Sequence, residues 1–278
     1  MKKKNNASKI ICTLLVASFA VLFVVPFVWM ILSSLKTTPE VFARPYYWLP
    51  AKWQWKNYVE VWSMDADVNM MRSYCNSLYI AFFSITLQMI ISSLAAYAFA
   101  KVNFKGKGFL FILFLSTMMI PSQVTIIPCF MMFKTIGLYN NLWAIILPAA
   151  FSTTSIFMLR QFYMGLPNDL MEAANIDGAG HLRIFFQIML PLTKAALVSL
   201  IILAFISSWN EYLSPLIFLP NKKFYTVSQA IESYMLDEYK QYNLTMAAAT
   251  STIIPVIILF IVGQKYFVEG IAASGVKG

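Results

Sequence analysis

Six long apolar runs, almost free of charge, limit what this chain can fold into. A hydrocarbon core about 30 Å thick is crossed by roughly 20 helical residues. The runs cover about 10–35, 73–100, 108–133, 142–160, 191–219 and 243–265, and Glu211 is the sole acid inside them. Lipid offers no hydrogen bonds to bare N–H and C=O groups, so such runs must satisfy their own backbone as helices. The expectation is an all-α integral membrane protein with six transmembrane helices, one transmembrane domain over residues 1–278 with both termini on the same side. Composition closes off the soluble alternative: 59% of the residues are hydrophobic, 12% are charged and the mean hydropathy is +0.67.

Charge gives the runs a direction. Lys2, Lys3, Lys4 and Lys9 precede the first run as in a signal peptide, but the run is too long for a signal core and no A-x-A site follows. It reads as an uncleaved first span. With the N-terminus in the cytoplasm, twelve of the 21 Lys and Arg but only four of the twelve acids fall on inner segments, as the positive-inside rule expects. The formal charge of +9 is too scattered for a nucleic-acid surface. Cys12, Cys75 and Cys129 are an odd number without C-x-x-C spacing, and His181 is the only histidine. Neither a disulfide framework nor a zinc site is expected, and the thiols read as buried apolar groups.

The first outer loop carries Tyr46, Tyr47, Trp48, Trp53, Trp55, Tyr58 and Trp62. Such amphipathic rings suit headgroup level, with a surface for an extracellular partner as the alternative. Small residues recur four apart in the second run (Ser92, Ala96, Ala100) and the sixth (Ala247, Ser251), where helix backbones can approach closely.

One inner loop, about 166–190, is too polar to span and too patterned to be slack. Pro167 closes the preceding helix, Asp169 can cap a new one, and Glu172 three residues on completes a capping box. Leu170, Ala173 and Ala174 fall on one side of a short helix that Asp177-Gly178 ends. Gly178 suits a left-handed position there, where a Cβ costs about 1 kcal/mol. Ile184, Phe185, Ile188 and Met189 form a second helical stretch leading to Pro191. From the residues alone this is either an ordinary surface helix or a rigid piece that a partner approaches closely over Ala173 and Ala174.

Taken together, Glu172-Ala173-Ala174, Asp177-Gly178-Ala179, Phe185, Ile188, Leu190 and Pro191 resemble the EAA loop of ABC-importer permeases, the segment that docks on the ATPase. The likeness runs nearly end to end and is strongest to the carbohydrate-uptake branch, especially the smaller membrane subunit of maltose-type importers. It rests also on PFVWMILSSLK at 26–36, Asn57-Tyr58, Asn76-Ser77, and Ala96-Tyr97-Ala98 leading to Phe104, Gly106 and Lys107. Pro121 with Pro128, Gly137-Leu138, and Ser208-Trp209-Asn210-Glu211 complete it. The resemblance implies a permease of an ATP-driven, binding-protein-dependent importer that moves a sugar across the bacterial cytoplasmic membrane by alternating access, N- and C-termini cytoplasmic. The implied partners are a second homologous permease in a heterodimer, two cytoplasmic ABC ATPase subunits that bind ATP and Mg, and an extracellular or periplasmic sugar-binding protein. ATPase coupling would fall to a cytoplasmic coupling helix between spans four and five, through Glu172, Ala173, Ala174, Asp177, Gly178, Ala179 and Pro191. The ending Phe267-Val268-Glu269-Gly270 with Val276-Lys277-Gly278 is similar to the family's tail, which reaches the ATPase dimer, and so implies contacts at Gly270, Lys277 and Gly278. Ser274-Gly275 departs from the usual glycine-alanine order.

No G-x-x-x-x-G-K-[ST] occurs, so the chain is expected to bind no ATP or other cofactor itself. No H-E-x-x-H, G-x-S-x-G or paired carboxylates suggest chemistry on a cargo, and a transport subunit in contact with membrane lipid is expected rather than an enzyme. Polar groups at bilayer depth are costly and usually face a bundle interior. Glu211, with Trp209 and Asn210 beside it on a helix that Pro215 is expected to break, offers the carboxylate, aromatic face and amide that hold sugars. Gln123 joins them on the expected translocation path with Gln88 and Ser122 as further candidates, and for each of these three the alternative is interhelical glue. For Glu211 the alternative is a bond that fixes a neighbouring helix. The alternative function is an ion-coupled secondary transporter working alone, a class that shows repeated halves and several intramembrane ionisable groups. Among importers the alternative cargo is a glycerol-phosphate compound, which the lack of bases in the span interiors disfavours.

Overall fold

The computed structural model describes residues 6–63, 68–236 and 241–275, and these contain helices and turns without a strand. Contacts divide the chain into two compact units, Met1–Met71 with Ala230–Ile254, and Arg72–Gln229 with Pro255–Gly278.

In the first unit α1 (Asn6–Ser34) holds the apolar stretch Lys9–Ser34, whose most apolar 18 residues have a mean hydropathy of 2.7. Two short helices, α2 (Thr38–Val41) and α3 (Lys56–Trp62), follow it. The last carbonyls of a helix lack partners within it. Here the Asn57 amide supplies two bonds, donating to Ser34 O (2.7 Å) and Lys36 O (2.9 Å). Asn243 in turn donates to Asn57 Oδ1 (3.1 Å) and accepts from Thr38 Oγ1 (2.6 Å). Lys36, 1% exposed, lays its ammonium 4.4 Å from the centroid of the Tyr46 ring and donates to Tyr47 O. The aromatic loop therefore divides. Tyr46, Tyr58 and Trp62 bond within the unit, Tyr58 Oη to Ser34 Oγ at 2.7 Å and Trp62 Nε1 to Ser251 Oγ at 3.2 Å. Trp48, Trp53 and Trp55 stay exposed, as a headgroup belt requires.

The second unit takes in most of α4 (Met70–Lys101), then α5 (Lys107–Ser116) and α6 (Ser122–Thr135). The run 108–133 is not one rod: Lys107–Met119 and Ser122–Thr135 meet at 95°. Pro121 has no N–H and holds Ile120 extended, at φ −87° and ψ 114°, so the helix cannot continue. Next come α7 (Trp143–Ala149), α8 (Thr153–Gly165) and α9 (Asp169–Ile176). A bent stretch follows, made of α10 (His181–Ile184), a π-helical turn Phe185–Met189 and α11 (Leu190–Leu192). It meets α12 (Lys194–Trp209) at 76°.

The run 191–219 breaks a second time at 210–212, before α13 (Leu213–Phe218), and not at Pro215. Pro215 sits in the first turn of α13, where a missing N–H costs nothing. The remaining helices are α14 (Val227–Leu236) and α15 (Tyr242–Gly275). Among the described residues four helices are long and apolar enough to cross a membrane, and six passages result if each bent pair counts as one. The thiols of Cys12 and Cys75 are exposed rather than buried, because their helices turn those positions outward.

Packing in the second unit depends on small contacts. Ser92 and Ala96 of α4 are fully buried, as close helix approach predicts. A core cluster joins Tyr97 of α4, Tyr163 of α8, Met171 and Ala174 of α9, and Phe185 and Met189 of the π-turn. Gly263 of α15 lies so near Ile202 of α12 that a Cβ there would overlap the Ile202 Cδ1.

Candidate functional site

Helix α9 is held from below and bare above. Lys101, at the end of α4, fixes the turn that leads into it, donating to Leu166 O (2.7 Å) and Asn168 Oδ1 (2.6 Å). The Asn168 carbonyl accepts from the Met171 and Glu172 N–H groups at 2.8 and 3.0 Å, so Asn168 and not Asp169 precedes the first turn. No capping box forms, and Asp169 and Glu172 lie inside the first turn, where negative charge suits the helix dipole. The side expected to hold Leu170, Ala173 and Ala174 together is divided: Leu170 and Ala173 are exposed, whereas Ala174, expected with Ala173 under a partner, is buried beside Met171. Each residue along a helix turns about 100°, and the long Met171 side chain reaches the core cluster that claims that direction.

The end of α9 matches the reading of Gly178. Its φ is +79°, with Gly178 N–H donating to Asn175 O (3.0 Å) and Ala179 N–H to Ala174 O (2.9 Å), a Schellman closure. Among the described residues nothing lies within 4 Å of the place a Gly178 Cβ would take, so there glycine answers to backbone angle and not to crowding. Glu172, Ala173, Asp177 and Gly178 gather on the outer surface together with Ile176, which is 85% exposed. Ala174 and Ala179 pack on the core cluster, and Pro191 is exposed in α11. Ile176 and Lys101 were not among the expected site residues. Ile176 was signalled only by its place one helical turn after Ala173, and nothing near Lys101 in sequence points to residue 166. Gly270 falls in α15, while Lys277 and Gly278 lie outside the described residues.

A cavity of about 620 Å³ also opens in the second unit, lined from α4, α6, α7, α8, α12, the 210–212 break and α13. Gln123 and Glu211 are both on its wall. Glu211 Oε1 accepts from the Ser214 N–H (2.9 Å) and so caps α13. Gln88 Nε2 donates to Ser155 Oγ (2.8 Å), the interhelical alternative, although both residues line the cavity too. Ser84, another wall residue, has a buried hydroxyl with no hydrogen-bond partner among the described residues. Among the described residues the lining contains no Lys, Arg or His. Trp209 and Asn210 stand elsewhere. Trp209, 3% exposed, stacks on Phe205 with centroids 5.3 Å apart and meets Tyr74 edge-on at 5.1 Å. Asn210 Nδ2 turns back to Ile206 O (2.8 Å) and closes α12. The end of α12 thus sends three consecutive side chains to three different tasks.

Residues 88–272 match the family described as binding-protein-dependent transport system inner membrane component. The chain belongs to this family. The permease is 33% identical over 280 residues to the arabinooligosaccharides transport system permease protein AraQ of Halalkalibacterium halodurans, covering 99% of this chain and 100% of that one. It is 32% identical over 282 residues to the melibiose/raffinose/stachyose import permease protein MelC of Bacillus subtilis, covering 100% of each. To the sn-glycerol-3-phosphate transport system permease protein UgpE of Yersinia pestis it is 31% identical over 279 residues, 99% of each. The permease fold matches a crystal structure of a bacterial ABC transporter involved in the import of the acidic polysaccharide alginate, with a TM-score of 0.80. That match covers 96% of this chain and 99% of the other at 24% identity, and it speaks to the fold alone. The permease is a multi-pass membrane subunit of an ABC importer and not an enzyme. Its family implies a partner permease, an ATPase and a binding protein.

Proposed function

We propose that the permease carries an uncharged sugar across the bacterial cytoplasmic membrane. It works beside a second homologous permease in a heterodimer, with two cytoplasmic ATPase subunits that bind ATP and Mg and an extracellular sugar-binding protein. One observation carries the cargo class: among the described residues the cavity offers hydroxyls, amides and a carboxylate but no cation. Sugar hydroxyls exchange bonds with all three groups. A phosphate beside Glu211, without Lys or Arg on the described wall, is repelled. That tells against the glycerol phosphate named for UgpE and favours the oligosaccharides named for AraQ and MelC. In this reading Gln123 and Glu211 face the cargo, while Trp209 and Asn210 support the wall.

Both termini are cytoplasmic in this proposal, which turns α9 toward the ATPases. Glu172, Ala173, Asp177 and Gly178 meet the ATPase cleft, Ala174, Ala179 and Pro191 shape the seat beneath, and Gly270, Lys277 and Gly278 extend the contact along the tail. Closure of the ATPase dimer on ATP moves α9, and the packing of Met171 and Ala174 with Phe185 and Met189 carries the motion toward α12. Gly178→Trp tests this, because a Cβ at 178 meets open space among the described residues and a docked partner would meet the ring, while Gly178→Ala measures the strain that any side chain brings to the left-handed backbone. Gly178→Asn is the control, since asparagine tolerates the left-handed backbone. Insertion should be normal for each, while uptake and coupled ATPase activity fall for the Trp variant by about tenfold or more, the effect of losing some 1.4 kcal/mol of docking energy. Normal uptake with Trp at 178 would remove α9 from the coupling path.

A further inference from the structure

Four cations collect where α4 gives way to α5. Lys101 ends α4, Lys105 lies in the connecting turn, Lys107 opens α5, and Arg160 comes across from α8. Two of them close the end of α4: Arg160 Nε donates to Phe99 O (3.1 Å), and Lys107 Nζ to Ala100 O (3.1 Å) and Val102 O (2.9 Å). Lys101 takes the Leu166 and Asn168 oxygens. Terminal helix carbonyls carry roughly half a negative charge in all, far short of balancing these cations. Among the described residues the partners of the four are carbonyls, the Asn168 amide oxygen and the Phe111 ring, and none is a carboxylate.

Donors remain unused as well. An ammonium has three and a guanidinium five. Lys101 and Lys107 each keep one, and Arg160 keeps those of its terminal nitrogens, with its plane set by the Phe111 ring 4.0 Å away. Directly beyond the cluster, α5 turns Phe109 (71% exposed), Ile112 (68%) and Leu113 outward. A hydrated anion has no use for that face, and an acidic protein surface cannot follow a helix into lipid. A headgroup phosphate joined to acyl chains uses both.

We propose that this cluster binds an anionic phospholipid, with the phosphate against Lys105, Lys107 and Arg160 and the acyl chains along the exposed face of α5. The test uses the assembled importer in phosphatidylcholine nanodiscs doped with photoactivatable phosphatidylglycerol or, in parallel, photoactivatable phosphatidylcholine, followed by mapping of the labelled peptides. The phosphatidylglycerol probe should label 104–113 well above the phosphatidylcholine probe. Lys105 supports no bond of the fold among the described residues, so Lys105→Gln should leave assembly intact and cut that labelling about fivefold, one cation's share at a membrane surface. Lys107→Gln should cut it further, Lys134→Gln on α6 should leave it unchanged, and excess inorganic phosphate should not displace the lipid. Equal labelling by the two probes overturns the proposal, and that comparison needs no variant. Labelling indifferent to Lys105→Gln and Lys107→Gln, or full displacement by inorganic phosphate, overturns it also.

Discussion

Single residues in this permease are held by bonds that respond to conditions. The Glu40 carboxyl is held below its ordinary value of 4.5, chiefly because the Thr37 backbone N–H donates to it at 2.9 Å. Burial opposes this, and the Thr37 hydroxyl, the Ala51 N–H and the Lys36 ammonium add to it. A carboxyl with a depressed pKa in the fold stabilises that fold fully above its unfolded value and ceases to do so as pH falls through the folded one. Amide exchange around 37–41 should therefore quicken as pH drops below about 4.5, after correction for intrinsic exchange. Glu40→Gln should flatten that rise. An acid-side rise that survives the substitution would mean another group governs the turn.

At the scale of elements, helix contact is decided by the absence of a side chain. Gly263 lets α15 come against Ile202 of α12, and a methyl group would meet the far end of that isoleucine. Gly263→Leu should lower stability in detergent by about 1–3 kcal/mol, the usual cost of overpacking. Ile202→Ala in the same chain should recover part of the loss, whereas strictly additive losses would show that the two residues do not share the contact. The helices themselves were legible in sequence because hydropathy and the bilayer act on every residue alike. So was the left-handed Gly178, since the Asp-Gly ending is local chemistry. The 95° bend was not: Pro121 announces a break, but its angle depends on what α5 and α6 pack against. Nor was the division of Ala173 from Ala174, for the same reason, because the core cluster and not the helix takes Ala174 together with Met171. Trp209 and Glu211 look like one site on a straight helix and become two where α12 ends.

For the whole molecule, what passes through is a question about the cavity wall. Gln123→Trp would place a large ring in a space of about 620 Å³, far from α9 in sequence. Uptake should fall by about tenfold or more, the order of selectivity a fixed pocket exerts by shape, while ATPase coupling persists. Parallel loss of both activities would mean that the wall and the docking helix are not separable.

The 76° corner at Thr193 bears on how small an input suffices. Its hydroxyl is tied to Met189 O (3.1 Å) and Leu190 O (3.0 Å), so the corner moves with the π-turn. The 16 residues of α12 beyond it reach about 24 Å. A rotation of only about 10° about that corner sweeps the far end of the arm sideways by roughly 4 Å, wider than a water molecule. The gearing is set by arm length, so shortening α12 by one turn would reduce the stroke in proportion, whatever force the ATPases deliver.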